Sequence, residues 1–150
     1  MKILWVDDQQ NLINSFSALL KSLNPKIISA NSGDKALDLL LKNYYDLIIC
    51  DLMMPPDKWG GLWLIEEIKK HNIKVPILVL SGEGTQTETI RALRLGAQDY
   101  VMKEKVDKEL LPQVEKIKSE ADIIINSTVI SSFPLLIALS FNNDLILKIS

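Results

Sequence analysis

The sequence predicts an α/β fold, a doubly wound open sheet of parallel strands with helices on both faces. Two observations carry that expectation. Short apolar runs alternate with helix-period segments five times between residue 1 and about residue 120. Most of those runs are continuous rather than alternating, as strands covered on both faces are.

The strand candidates are Ile3–Val6, Ile27–Ala30, Leu47–Cys50, Ile77–Leu80 and Tyr100–Met102. Between them, Asn11–Leu23 sets Leu12, Phe16, Leu19, Leu20 and Leu23 on one helical face, and Asp34–Lys42 does so with Leu37, Leu40 and Leu41. Leu62–His71 follows a Gly-Gly pair and carries Leu64, Ile65 and Ile68. Thr85–Leu95 offers Ile90, Leu93 and Leu95, with Gly96 placed to end the helix. Asp107 is a candidate cap for a last helix bearing Leu110, Leu111, Val114 and Ile117, and Pro112 predicts a late start or a kink there.

Bulk properties narrow the function. A length of 150 residues bounds the chain to one domain with a sizeable core and little more. A net charge of −2 gives no support for a general nucleic-acid-binding surface. One cysteine, Cys50, and one histidine, His71, exclude a Cys/His zinc site. Cys50 reads as a core residue and His71 as a solvated residue near a helix end. No secretory leader pattern precedes the first strand, so a cytoplasmic location is expected.

Residues 121–150 differ from the rest. No charge occurs from Ile123 to Asn143, and apolar residues mix there with Ser, Thr, Asn and Pro. Too many polar residues interrupt this stretch for a good membrane span, and no insertion is expected. The preferred division is a domain over 1–120 and a C-terminal extension over 121–150. That extension reads as a strand or hairpin arm, with a hairpin over Leu135–Ile149, or as the start of a truncated output domain. Its apolar character favours association of some kind.

The chemistry lies at the strand ends, where ligands bind in open α/β sheets. The first strand ends in Asp7-Asp8, the third in Asp51, the fourth in Ser81-Gly82 and the fifth in Lys103. Three close carboxylates need a cation, and hard oxygen ligands without His or Cys select Mg²⁺ or Mn²⁺. A carboxylate can be a nucleophile toward phosphorus, with a metal ion and Lys103 neutralising the transferring group. Ser81 can then donate a hydrogen bond to the phosphoryl group, and Gly82 leaves room for it.

The segments I-L-W-V-D-D, I-I-C-D-L-M-M-P, L-V-L-S-G and G-A-Q-D-Y-V-M-K resemble the receiver domain of two-component response regulators, over roughly residues 1–120. The resemblance implies a flavodoxin-like sheet of order 2-1-3-4-5. It implies Asp51 as phosphoacceptor, Asp8 as a direct Mg²⁺ ligand, Asp7 as a ligand through water, and the Met53 backbone carbonyl as a further ligand. It also implies Lys103 as the charge-neutralising residue, Ser81 as the switch hydroxyl and Tyr100 as the switch aromatic. Such a domain is no turnover enzyme, although it can catalyse its own dephosphorylation. Its partners would be a sensor histidine kinase or phosphotransfer protein. A second copy could pair through the face of the fourth helix, fifth strand and fifth helix, or through the extension. Direct nucleic-acid binding is not expected of it.

Departures from the family pattern are local. Glu104 stands where proline usually follows the lysine, often with a cis peptide bond. The loop from Met54 to Gly61 is longer than common, and Glu83 lies at a position that tunes phosphoryl lifetime. Trp59 and Trp63 either mark a partner surface or pack under their helix and loop. The rival reading is a phosphorylation-independent interaction module on the same fold. A nucleotide-binding dehydrogenase or flavoprotein lacks its G-x-G-x-x-G after the first strand.

Overall fold

The computed structural model describes residues 1–55, 57–82 and 85–132. Glu83 and the hairpin expected over Leu135–Ile149 lie outside the described residues. The chain divides into two units, the first Met1–Val114 and the second beginning at Glu115.

In the first unit five strands form one parallel sheet: β1 (Lys2–Val6), β2 (Lys26–Ala30), β3 (Leu47–Asp51), β4 (Ile77–Ser81) and β5 (Asp99–Met102). Their order is β2-β1-β3-β4-β5, as expected. Every strand sits within one residue at each end of its apolar run. Between them lie α1 (Gln10–Ser17), α2 (Gly33–Lys42), α3 (Gly60–Lys70) and α4 (Gln86–Leu95), and α5 (Val106–Ser132) follows β5.

Strand pleat sorts the core into two layers. Leu4 and Val6, Ile48 and Cys50, and Ile77 and Val79 share a cluster with Ala36, Leu40, Leu64, Ile65, Ile68 and Ala92 from α2, α3 and α4. The alternate residues Ile3, Trp5, Leu47, Ile49, Leu78 and Leu80 are equally buried. Successive strand residues point to opposite faces, so this second set belongs to the other side of the sheet. Ile13 of α1 and Val106, Leu110 and Val114 of α5 are buried outside the first cluster and cover that side. Each fully buried Leu or Ile stabilises the fold by about 2 kcal/mol.

Three details differ from the sequence expectation. The first helix gives way at Ala18 to a 3₁₀ turn ending at Leu23, closed by Asn24 at φ 45°. Three residues per turn rotate the apolar stripe out of phase, and Leu19 ends up 36% exposed while Leu20 is fully buried. The third helix includes Gly60 and Gly61 rather than starting after them. The last helix starts at Val106, directly after a 3₁₀ turn over Lys103–Lys105, with Asp107 in its first turn rather than at its cap. It runs through Pro112 to Ser132, so there is no late start. Proline withholds one N–H from the Lys108 carbonyl, and both residues are exposed, where water can replace the bond. Gly96, at φ 117°, ends α4 as the sequence suggests.

Residues 115–132 of the second unit are helical. Ile123, Ile124 and Ile125 there are 67%, 65% and 59% exposed. Among the described residues no helix is long and apolar enough to cross a membrane.

Candidate functional site

The topology places three carboxylates together. Strand β1 lies between β2 and β3, which is the point where strand order reverses. Val6 pairs with Cys50, so Asp7 stands level with Asp51, and the Asp7 N–H extends the ladder to the Ala30 carbonyl at 3.0 Å. Carboxylate oxygens of Asp7, Asp8 and Asp51 lie within 4.8 Å of one another. Asp8 is exposed, whereas Asp7 and Asp51 are buried.

Lys103, one residue past β5, reaches into this group. Its Nζ is 3.2 Å from Asp51 Oδ2 and 3.6 Å from Asp7 Oδ2. Asp7 Oδ1 accepts from the Gln9 N–H at 2.8 Å, which orders the turn into α1. Asp7 Oδ2 is buried without a hydrogen-bond partner. A buried carboxylate oxygen left in that state, beside two further carboxylates, suits a hard divalent cation that brings its own charge and water.

Burial dominates the titration of both inner acids. It holds Asp51 above the ordinary 3.8, against the opposing pull of Lys103; the Asp7 charge adds to the rise, and the Met53 N–H opposes it. Burial likewise raises Asp7, opposed first by the Gln9 N–H and then by Lys103, while Asp8 adds to the rise. The native state therefore holds more protons than the unfolded chain at pH values just above 3.8. Stability falls as pH rises through that interval, and the full cost is present above the folded values. Asp7→Asn keeps the Gln9 hydrogen bond and leaves Lys103 to Asp51. In metal-free buffer at neutral pH it is expected to stabilise the protein by about 1 kcal/mol, read by urea unfolding. Destabilisation instead would mean that the Lys103–Asp7 contact outweighs the burial of the Asp7 charge.

The remaining predicted residues fall around this centre. Ser81 ends β4, is buried, and has its Oγ 2.9 Å from both Thr85 Oγ1 and Thr89 Oγ1. Tyr100 is 41% exposed and lines, with Ser81 and Thr89, a cavity of about 230 Å³ between α4 and β5. Met53 is exposed beside the site, and Glu104 is exposed in the turn after Lys103. A Cβ added to Gly82 would meet nothing within 4 Å among the described residues.

Four other residues have structural or solvated roles. Cys50 is buried, with its thiol pushed far up by burial and by the neighbouring Asp51 and Asp7 charges. His71 is exposed at the end of α3, its Nδ1 2.9 Å from the Glu67 carbonyl. Trp59 and Trp63 are half-buried and pack against the core.

Sequence reasoning missed the two threonines and Gly61, where an added Cβ would meet the Asp51 carbonyl oxygen. Thr85 and Thr89 lie four and eight residues past Ser81, a helical spacing that runs from the cap of α4 into its second turn. That spacing was the signal available.

Comparison with known proteins agrees with this geometry. The model of the response regulator receiver domain family matches residues 3–115. The transcriptional regulatory protein CpxR of Escherichia coli K12 is 34% identical over 116 residues, covering 77% of this chain and 48% of CpxR. The ycf27 protein of Porphyra purpurea is 34% identical over 123 residues, covering 82% of this chain and 49% of that protein. Among solved structures, the receiver domain of the Francisella response regulator 1452 superposes with a TM-score of 0.70 at 29% identity, covering 80% of this chain and 98% of that domain. The chain belongs to the response regulator receiver domain family of two-component systems, on a flavodoxin-like fold. It spans about half the length of these curated relatives.

Proposed function

We propose that Asp51 accepts a phosphoryl group from a partner histidine kinase, a phosphotransfer protein or a small phosphodonor, and that the resulting acyl phosphate switches a protein-binding surface. The observation that carries this reading is a buried carboxylate at the sheet's switch point with a lysine 3.2 Å away and two further carboxylates beside it. An Asp51 oxygen attacks phosphorus in line, the donor's bond to phosphorus breaks, and the donor leaves with the electron pair. Lys103 faces the equatorial oxygens and offsets their charge. Asp8, Asp51 and the Met53 carbonyl would hold Mg²⁺ directly, with Asp7 acting through water, and Mn²⁺ would fit the same oxygen set. When bound, the ion supplies the remaining positive charge on the phosphoryl oxygens.

Ser81 then turns to the new phosphoryl oxygens, Tyr100 moves toward the cavity, and the face of α4, β5 and the first turns of α5 changes. That face, or residues 121–150 beyond the 1–120 domain, would serve for pairing with a second copy. Output through protein contact needs no nucleic-acid-binding surface on this chain. Loss of the phosphoryl group by hydrolysis at the same site resets the switch.

Incubation with acetyl phosphate and Mg²⁺ is expected to add the mass of one phosphoryl group to the intact protein. The gain should need Mg²⁺ and be absent in Asp51→Asn. Equal labelling of Asp51→Asn would move the acceptor elsewhere. No labelling at all, under conditions that modify a control receiver, would overturn the reading.

A further inference from the structure

The hydroxyl of Ser81 does not stand free at the end of β4. Its Oγ lies 2.9 Å from Thr85 Oγ1 and 2.9 Å from Thr89 Oγ1. Thr85 Oγ1 donates to the Gly82 carbonyl at 2.7 Å, and Thr89 Oγ1 donates to the Thr85 carbonyl at 2.7 Å. Ser81, Thr85 and Thr89 are 5%, 2% and 5% exposed, so water is largely kept from their oxygens.

Four short contacts join these groups, and three hydroxyls bring only three protons. The two threonine protons are taken by backbone carbonyls. The single Ser81 proton must therefore serve two threonine oxygens, and one of the 2.9 Å contacts has no proton of its own. The network is tight enough to hold Ser81 against α4, yet short of one hydrogen bond. A buried polar cluster that is only partly satisfied gives way more readily than a complete one.

Building on the phosphoacceptor reading above, we propose that Thr89 and Thr85 are positioning residues that latch Ser81 to α4 in the resting state. The phosphoryl group on Asp51 opens the latch by competing for the one Ser81 proton. The competition is uneven, because a hydrogen bond to an anionic oxygen is roughly twice as strong as one to a neutral hydroxyl. Leaving the latch frees the first turn of α4, since Thr85 precedes that helix and Thr89 lies within it. The same contact thus sets the resting bias of the switch and joins the strand end to the helix that must move.

The test compares rates of labelling by acetyl phosphate with Mg²⁺, followed by intact mass, for wild type, Thr89→Val, Thr85→Val and Thr89→Ser. Valine keeps the shape of threonine and removes the hydroxyl; serine keeps the hydroxyl and removes the methyl. Loss of one net hydrogen bond from the resting state should raise the competent fraction, and the labelling rate with it, about five-fold in Thr89→Val. Thr85→Val should move the same way, and Thr89→Ser should return to the wild-type rate. A role in packing alone would follow the methyl, leaving Thr89→Ser the more disturbed variant. Equal rates in all four proteins, or a change in the serine variant only, would overturn the latch while leaving the acceptor reading intact. A wild-type protein that takes no phosphoryl group would overturn both.

Discussion

Lys103→Gln is expected to slow labelling of Asp51 about a thousand-fold and to destabilise the protein by about 2 kcal/mol at neutral pH. The first effect follows from position. Lys103 Nζ lies 3.2 Å from Asp51, and in the proposed transfer it would face the charge that accumulates on the phosphoryl group. The second follows from what glutamine leaves behind, two carboxylates whose side chains are 0% and 5% exposed. Complete burial of the pair would make the loss larger, but the lysine side chain itself is 20% exposed, and solvent already weakens its hold. The stability loss carries a pH signature. Lysine opposes the upward shift of both acids, so the variant should retain protons to higher pH than wild type. Wild type and variant should approach each other near pH 3.8, where protonation removes the charge that lysine offsets, and diverge as pH rises. Urea unfolding across that range reads the divergence. A constant gap at all pH values would place the lysine's contribution in packing of its stem instead.

Gly61→Ala is expected to destabilise the protein by about 3 kcal/mol, at the upper end for overpacking, and to impair labelling as well. A Cβ at Gly61 would lie 1.9 Å from the Asp51 carbonyl oxygen, and 2.8 Å from the Leu52 Cα. Backbone atoms cannot rotate away as a side chain would. Relief requires α3 to withdraw from the strand end, losing the bond from the Gly61 N–H to the Leu52 carbonyl at 3.2 Å. The peptide that shifts is the one carrying the Asp51 carboxylate, the proposed acceptor. Gly82→Ala is the control, since its added Cβ meets nothing within 4 Å among the described residues, and its stability should stay within about 0.5 kcal/mol of wild type. Equal stabilities for the two variants would show that the approach of α3 to β3 is looser than the geometry implies.

How much of this was legible in the sequence depends on the kind of interaction. The five strands were readable because parallel strands buried on both faces advertise themselves as unbroken apolar runs, such as Leu47–Cys50. Asp7, Asp51 and Lys103 were readable because a polar group at the end of such a run needs a reason. The break of α1 into a 3₁₀ turn at Ala18 was not readable, since the stripe from Leu12 to Leu23 suits an α-helix throughout and tertiary packing decides otherwise. Gly60 and Gly61 announced a boundary, but two glycines cannot say which backbone they approach. Thr85 and Thr89 did not stand out in the sequence, Thr85 being only the start of a helix and Thr89 an interior residue of it. Their significance depends on the position of a third hydroxyl on a neighbouring strand, and only the packed structure supplies it.

Cys50 gives the molecule a built-in clock. Its thiol is the chain's only one, sealed inside the central strand next to Asp51 and held far from the thiolate form. A thiol reagent in solution can reach it only in molecules whose sheet has come apart, and there it meets an ordinary cysteine. The modification rate then counts opening events rather than surface reactivity. Whatever ties the strand ends together, a divalent ion among the three carboxylates or a phosphoryl group on the next residue, should lengthen the interval between those events. One native side chain would thus report how firmly the sheet is closed with and without a bound ion or phosphoryl group.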